Sequence, residues 1–236
     1  MTAQQFSHVD FWVFDLDNTL YPPSDALFEQ IEVRMTAWVM QALDVDRQVA
    51  DHLRRKYWSR YGTTLAGLMQ EHGVDPAPYL ADVHDISLDH LRPDPVLASR
   101  ISALRGRKIV FTNGSAPYAR RVLAARGLSQ SFDAVYGVEH AGFHPKPSRQ
   151  AFETVFARDG IAPERGAMFE DDPRNLSAPS AMGMQTVHVA PTPQIAPYIA
   201  HYTNDLPVFL SQISGSDDGT IRRSDLAGKT GGDTRS

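Results

Sequence analysis

The 236-residue chain has no cysteine, so disulfides, thiolate zinc sites and cysteine nucleophiles are excluded. No apolar run approaches the ~18 residues of a membrane span. The N-terminal MTAQQFSHVD has no basic region leading into an apolar stretch and does not read as a secretory signal. Positive charge is also scarce, with 23 Lys and Arg against 28 Asp and Glu, a net charge of −5. No segment forms a basic stripe, which argues against a nucleic-acid polymer as partner. An anionic substrate would have to be held locally, by a metal or by a few cations. The final stretch, Ser214–Ser236, has almost no apolar content. It cannot bury enough surface to repay its ordering entropy and is expected to be disordered. Inside it Gly228-Lys229-Thr230 imitates the end of a phosphate-binding loop, but Arg223 stands where that loop needs glycine. These absences point to a cytoplasmic protein with no membrane partner.

The composition that is present, 42% hydrophobic and 22% charged, is ordinary for a globular chain. The length suits one core with an insertion, or two modest domains. Short apolar runs at Val9–Phe14, Lys108–Phe111, Ala134–Val138, Ala167–Phe169 and Thr186–Val189 read as strands. Helical segments at Ser115–Arg126, opened by a serine cap and an early proline, and at Pro147–Arg158 alternate with them. That alternation predicts a parallel sheet with right-handed crossovers. Residues 22–92 break the rhythm. They read as amphipathic helices at Ser24–Leu43, Asp46–Arg60, Thr64–His72 and Pro76–Val83, with Trp38, Tyr57, Trp58 and Met69 as their core. A helical insertion placed there suggests a lid over the first strand's end. The expected organisation is a catalytic core of residues 1–21 and 93–213 and a helical cap of residues 22–92.

The densest chemistry lies in FWVFDLDNTLYP, residues 11–22. A buried strand, Phe11–Phe14, runs straight into Asp15-Leu16-Asp17-Asn18-Thr19. Strand ends of this kind are where open α/β sheets place ligands. Two buried carboxylates need a cation or strong donors to compensate them. The plain alternative is a solvated turn. A calcium loop is excluded, because Leu20 and Ala26 stand where it needs Gly and Glu. Three further segments converge on this one. Thr112-Asn113-Gly114-Ser115 offers a hydroxyl, an amide and backbone donors after an apolar run, although Asn-Gly is also an ordinary turn. Lys146 sits between two prolines that stiffen its loop, and reads equally as an exposed lysine. Glu170-Asp171-Asp172 places three carboxylates after another strand. Oxygen ligands without histidine or cysteine select a hard cation, Mg²⁺ above all. His140 and His144 have zinc-like spacing, but Gly142 and Pro145 spoil the helix that would align them.

DLDNT, TN, the lysine loop and the ED pair, in that order, resemble the four motifs of the haloacid dehalogenase (HAD) superfamily of phosphohydrolases. The likeness runs from about Val9 to Leu210. The DLDNTLYP form, the helical insertion and phrases such as YGTTLAGLMQEHGVDP and VHDISLDHLRPDP are similar to the pyrimidine 5′-nucleotidase branch. The resemblance implies a Rossmann-like core with an α-helical cap. It makes Asp15 the nucleophile that forms an aspartyl-phosphate. Asp17 becomes the group that protonates the leaving alkoxide and later activates water. It implies Mg²⁺ on Asp15, the backbone carbonyl of Asp17, and Asp171, with Thr112, Asn113 and Lys146 holding the transferring oxygens. Placing the acidic pair at Glu170-Asp171 puts Asn175 at the family's offset, and leaves open whether Glu170 or Asp172 also meets the metal. A dehalogenase is disfavoured because it does not need the acid that Asp17 supplies. The expected substrate is a small phosphorylated metabolite, a nucleoside monophosphate such as UMP or CMP. Another phosphate ester, a phosphomutase reaction, and a non-catalytic phosphate-binding protein are the alternatives. Tyr21, Tyr61 and Thr64 are the candidates for selecting the leaving group.

Overall fold

The computed structural model describes residues 2–214. The Ser214–Ser236 tail and its phosphate-loop imitation therefore lie almost wholly outside the described residues. A short α1 (Thr2–Gln5) precedes β1 (Phe11–Phe14). Then come α2 (Leu27–Leu43), α3 (Arg47–Tyr61), α4 (Thr64–His72) and α5 (Pro76–Val83). The chain continues through α6 (Pro95–Ala103), β2 (Arg107–Phe111), α7 (Ala116–Ala125) and β3 (Ala134–Tyr136). It closes with α8 (Arg149–Asp159), β4 (Gly166–Glu170), α9 (Ser177–Ala181), β5 (Gln185–Val189), β6 (His201–Thr203) and α10 (Leu206–Ile213).

The six strands form one sheet in the order β3-β2-β1-β4-β5-β6, and every pairing is parallel. This is the doubly wound Rossmann-like order, in which the strand order reverses around β1 and ligands meet the carboxyl ends of the strands. Side chains alternate across the sheet with period two. Trp12 and Phe14 face a core built with α6, α7 and α10. Val13, Ile109, Phe111 and Met168 face a second core closed by Phe152, Val155 and Phe156 of α8. Both faces are covered, so the strands read as continuous apolar runs rather than alternating ones. The Phe14 and Phe169 rings stack at 4.5 Å between adjacent strands and stiffen the two loops that follow them.

Helices α2–α5 lie between β1 and β2 in sequence and pack on one another over the sheet's carboxyl end. Three of them open on side-chain caps: Asp46 accepts from the Val49 N–H, Thr63 from Ala66 and Asp75 from Ala77. The expected helix from Ser24 is interrupted. A 3₁₀ turn at Pro23–Asp25 ends at Ala26, whose φ of 50° starts α2 afresh. Strand β6 and helices α6 and α10 were not expected; β6 is only three residues long and carries no apolar alternation. Trp58 is a correction. It is 51% exposed rather than core, and its ring carries the Arg174 guanidinium at 3.5 Å. Tyr57 is fully buried, and Trp38 and Met69 pack partly buried against the core.

Candidate active site

Strand β1 delivers Asp15 and Asp17 at the switch point. Asp15 is 5% exposed, and its N–H still donates to Phe169 O at 2.9 Å, so the nucleophile candidate is locked onto the sheet. The next residues leave the sheet. Asn18 takes a left-handed φ of 58°, which asparagine tolerates. Its Nδ2 donates to Asp171 Oδ2 at 3.3 Å and ties the first acidic loop to the fourth.

Lys146 is the hub. It is 1% exposed, and its Nζ donates to Asp15 Oδ1 and to Glu170 Oε2, each at 2.6 Å. Burial works to lower this ammonium, but the two ion pairs outweigh it and hold it above the ordinary lysine value. An exposed lysine is therefore ruled out. Asn113 braces the loop that carries it: Asn113 Oδ1 accepts from Lys146 N at 2.8 Å and Nδ2 donates to Lys146 O at 3.2 Å. One Nδ2 hydrogen remains for a ligand. Thr112 is fully buried; its Oγ1 accepts from Gly114 N at 2.9 Å and lies 3.4 Å from Asp17 Oδ2. The cap reaches the same hub. Gly62 has φ +89°, and a Cβ there would stand 3.1 Å from Lys146 O, so only glycine lets the cap loop settle this close.

Asp15, Glu170 and Asp171 each offer an oxygen, all within 4.8 Å of one another. Among the described residues, these are the grouped side chains able to hold a metal ion. With Asp17, four carboxylates face the single ammonium of Lys146. Burial pushes all four upward, and their mutual repulsion adds to it. Asp171 stands at about 6. An all-oxygen set with surplus negative charge fits a hard divalent cation. Glu170 is fixed from its other side as well, Oε1 accepting from Asn175 Nδ2 at 3.1 Å. Asp172 turns away: it caps the following 3₁₀ turn and pairs with Arg174 at 2.6 Å. The His188 ring meets the Asp171 carbonyl at 2.9 Å. His140 is spent on the Gly137 N–H at 3.1 Å, which removes the zinc-like reading.

Two of the expected selecting residues sit elsewhere. Tyr21 is buried, with its hydroxyl on Asp17 Oδ1 at 2.7 Å, and offers no aromatic face to a leaving group. Tyr61 donates to Glu71 at 2.9 Å and packs on the cap. Their position in sequence, beside the acidic loop and between two helices, could not show which way the rings turn. Thr64 does line the cavity above the acids, about 840 Å³ in volume, together with Phe28, Arg54, Trp58 and His84. Tyr118 carries no sequence motif, and His84, although it falls within VHDISLDHLRPDP, had been given no role; neither was foreseen. Tyr118 stands in the first turn of α7, three residues after the Ser115 cap, and this position alone aims it at the strand end. Its hydroxyl donates to Asp17 Oδ1 at 2.7 Å.

Comparison with known proteins agrees with this geometry. A yeast protein, Phosphate metabolism protein 8 of Saccharomyces cerevisiae, is 27% identical over 187 residues, 72% of this chain. The match spans only 58% of the yeast protein's length. Glyceraldehyde 3-phosphate phosphatase of Methanopyrus kandleri is 27% identical over 192 residues, 75% of this chain and 82% of its own. A HAD phosphatase from Thermococcus onnurineus shares the fold with a TM-score of 0.59 at 16% identity, over 88% of this chain and 98% of its own. The sequence pattern of the haloacid dehalogenase-like hydrolases matches residues 10–183, and with the acids, the lysine and the sheet order in place the chain belongs to that family.

Proposed function

We propose that this hydrolase is a Mg²⁺-dependent phosphomonoesterase working through an aspartyl-phosphate on Asp15, with a nucleoside 5′-monophosphate, a pyrimidine one in particular, as substrate. The observation that carries the reaction class is Asp17. It is a second, half-buried carboxylate beside Asp15, held by two tyrosine hydroxyls. Displacing a halide needs no proton donor, whereas expelling an alkoxide does. Lys146 fixes Asp15 Oδ1. A carboxylate oxygen of Asp15 attacks phosphorus, the bond to the leaving oxygen breaks, and Asp17 gives that oxygen its proton. Asp17 then takes a proton from water as the water attacks the aspartyl-phosphate, freeing phosphate and restoring Asp15. Asn113, with one Nδ2 hydrogen free, and Thr112 both line the cavity and, with Lys146, would hold the transferring oxygens. Mg²⁺, held by Asp15, the Asp17 carbonyl and Asp171, would neutralise phosphoryl charge.

The nucleotide reading is supported by a cavity of about 840 Å³ whose cap wall exposes Trp58 and Phe28, ample for a base and ribose. Trp58 replaces Tyr61 as the aromatic face in this reading. The archaeal relative's name favours a second reading, a triose-phosphate substrate. Phosphate release measured over pyrimidine and purine monophosphates and triose and hexose phosphates, with and without Mg²⁺, tests both. A preference for triose phosphate would overturn the nucleotide assignment. Absence of Mg²⁺-dependent turnover on every member would overturn the phosphatase. A cytoplasmic location belongs to the same proposal; among the described residues no helix is long and apolar enough to cross a membrane.

A further inference from the structure

Asp17 is held in an unusual way for a group that must exchange protons. Its Oδ1 accepts two hydrogen bonds at 2.7 Å, one from Tyr21 OH and one from Tyr118 OH. Oδ2 accepts only a long hydrogen bond among the described side chains, from the Thr112 hydroxyl at 3.4 Å. One oxygen is thus saturated and the other is left with lone pairs free. Both tyrosines are buried, at 2% and 1% exposure, so neither bond is competed away by water. They come from different elements: Tyr21 from the loop that leads into the cap, Tyr118 from the first turn of α7. Tyr118 is itself braced. The His84 ring, just after α5 where the cap returns to the core, lies flat on it at 4.4 Å and 7°. His84 Nδ1 is 3.1 Å from Ser115 Oγ, and its carbonyl accepts from Arg121 at 3.0 Å. Both strands of chain that join cap to core therefore touch the support of one carboxylate.

We propose that Tyr21 and Tyr118 are positioning residues that clamp Asp17 by Oδ1, present Oδ2 to the leaving oxygen and to water, and are held to the cap hinge through His84. The proposal rests on Asp17 acting as the acid and base of the reaction. A carboxylate with two donors on one oxygen loses its freedom to rotate, and general acid catalysis depends on that geometry before it depends on acidity. Neither tyrosine need touch the substrate.

The test uses phenyl phosphate and 4-nitrophenyl phosphate, esters of nearly the same shape whose leaving anions differ in stability. In the full chain with Mg²⁺, Asp17→Asn should lose far more turnover on phenyl phosphate than on the nitrophenyl ester. Tyr118→Phe and Tyr21→Phe keep the rings and remove one donor each. Each should show the same skew in weaker form, with kcat on phenyl phosphate down on the order of tenfold, the nitrophenyl ester within about threefold, and KM little changed. The double variant should approach Asp17→Asn. Equal losses on both esters in the tyrosine variants, with the skew intact in Asp17→Asn, would overturn the clamp alone. No skew in Asp17→Asn would overturn the acid–base reading and the clamp with it. His84→Ala should reproduce part of the skew, and His84→Phe, which keeps a flat ring on Tyr118, should return the ratio of the two esters to the wild-type value. An unchanged ratio in His84→Ala would remove the brace and leave the clamp.

Discussion

The two ends of one parallel sheet treat charge in opposite ways. At the amino ends carboxylates are paired one to one with guanidinium groups in two places: Asp10 meets Arg165, and Asp159 meets Arg107 through a two-pronged contact at 2.6 and 2.7 Å. At the carboxyl ends Asp15, Asp17, Glu170 and Asp171 crowd around Lys146 alone. Burial works upward on the Asp159 carboxyl too, yet Arg107 and Tyr136 outweigh it and hold it below the usual range. Asp15 and Glu170 are pushed above that range. The same chemistry in the same fold is stabilised at one end and left strained at the other. Surplus buried charge has no structural use by itself, because it costs stability unless a ligand arrives to cancel it. The imbalance is what separates the working end from the supporting one.

The sharpest way to break this comparison is to remove the proposed nucleophile, Asp15. Asp15→Asn should cut turnover by at least about a thousandfold, since a whole covalent step is lost rather than one contact. Yet it also relieves one negative charge among four. Its Tm should therefore hold or rise, read by thermal unfolding of the metal-free protein. A matching fall in Tm would show that Asp15 is needed for the fold and that the cluster is not overcharged. Lys146→Met works in the other direction. It strips Asp15 and Glu170 of their shared cation and should cost roughly 3–5 kcal/mol of stability together with activity. A denaturant midpoint close to wild type would mean that the acids already exist protonated and need no partner.

Much of this site was legible because its parts sit at strand ends, and strands announce themselves as apolar runs. Asp15, Asp17 and Asp171 follow such runs, Lys146 was marked instead by the two prolines that flank it, and the structure brings all four together. What was not legible is where side chains on neighbouring helices and loops turn. Tyr21 and Tyr61 were candidates to face a leaving group, with packing in the cap or hinge as the alternative. Tyr21 instead serves Asp17, and Tyr61 serves Glu71. Trp58, assigned to the cap's core, stands at the cavity under Arg174. Periodicity gives the face of a helix only relative to its own neighbours, and a four-helix cap on a sheet has two faces to bury. Strand β6 carries too few residues for any pattern, and its place at the sheet edge follows from pairing with β5.

A smaller effect concerns pH and metal together. Asp171 stands at about 6 when folded, above its unfolded value of about 3.9. The folded state therefore holds this proton more tightly. The stability it contributes is full at pH below the unfolded value and is lost as pH rises through about 6. Asp15 and Glu170 shift in the same direction. Metal-free protein should accordingly lose stability from about pH 4 towards neutrality on account of this cluster. Mg²⁺ binds the ionised acids, so the rise in Tm on adding it should be larger at pH 7.5 than at pH 5. Scanning fluorimetry at both pH values reads this directly. An equal rise at both, or a larger one at pH 5, would place the cation somewhere other than these three acids.

The smallest effect belongs to the balanced end. The Arg165 side chain is 56% exposed and its partner Asp10 is 37% exposed. A guanidinium half in water gains little from a carboxylate that water would otherwise solvate, and dissolved salt screens what remains. Arg165→Ala should move Tm by no more than a couple of degrees and leave kcat and KM unchanged for every ester. Asp10 is not idle, however. Its carbonyl accepts from Arg107 N at 2.8 Å and its N–H donates to Arg165 O at 3.0 Å. Those backbone bonds set the entry of β1 between its two neighbours, and they survive removal of the arginine side chain. The variant thus separates the ion pair from the strand alignment that it decorates. If Arg165→Ala lowered kcat while Tm held, the two ends of the sheet would be coupled. The contrast between a supporting end and a working end would then fail, because charge on Asp10 would be setting the geometry of Asp15, five residues further on across β1.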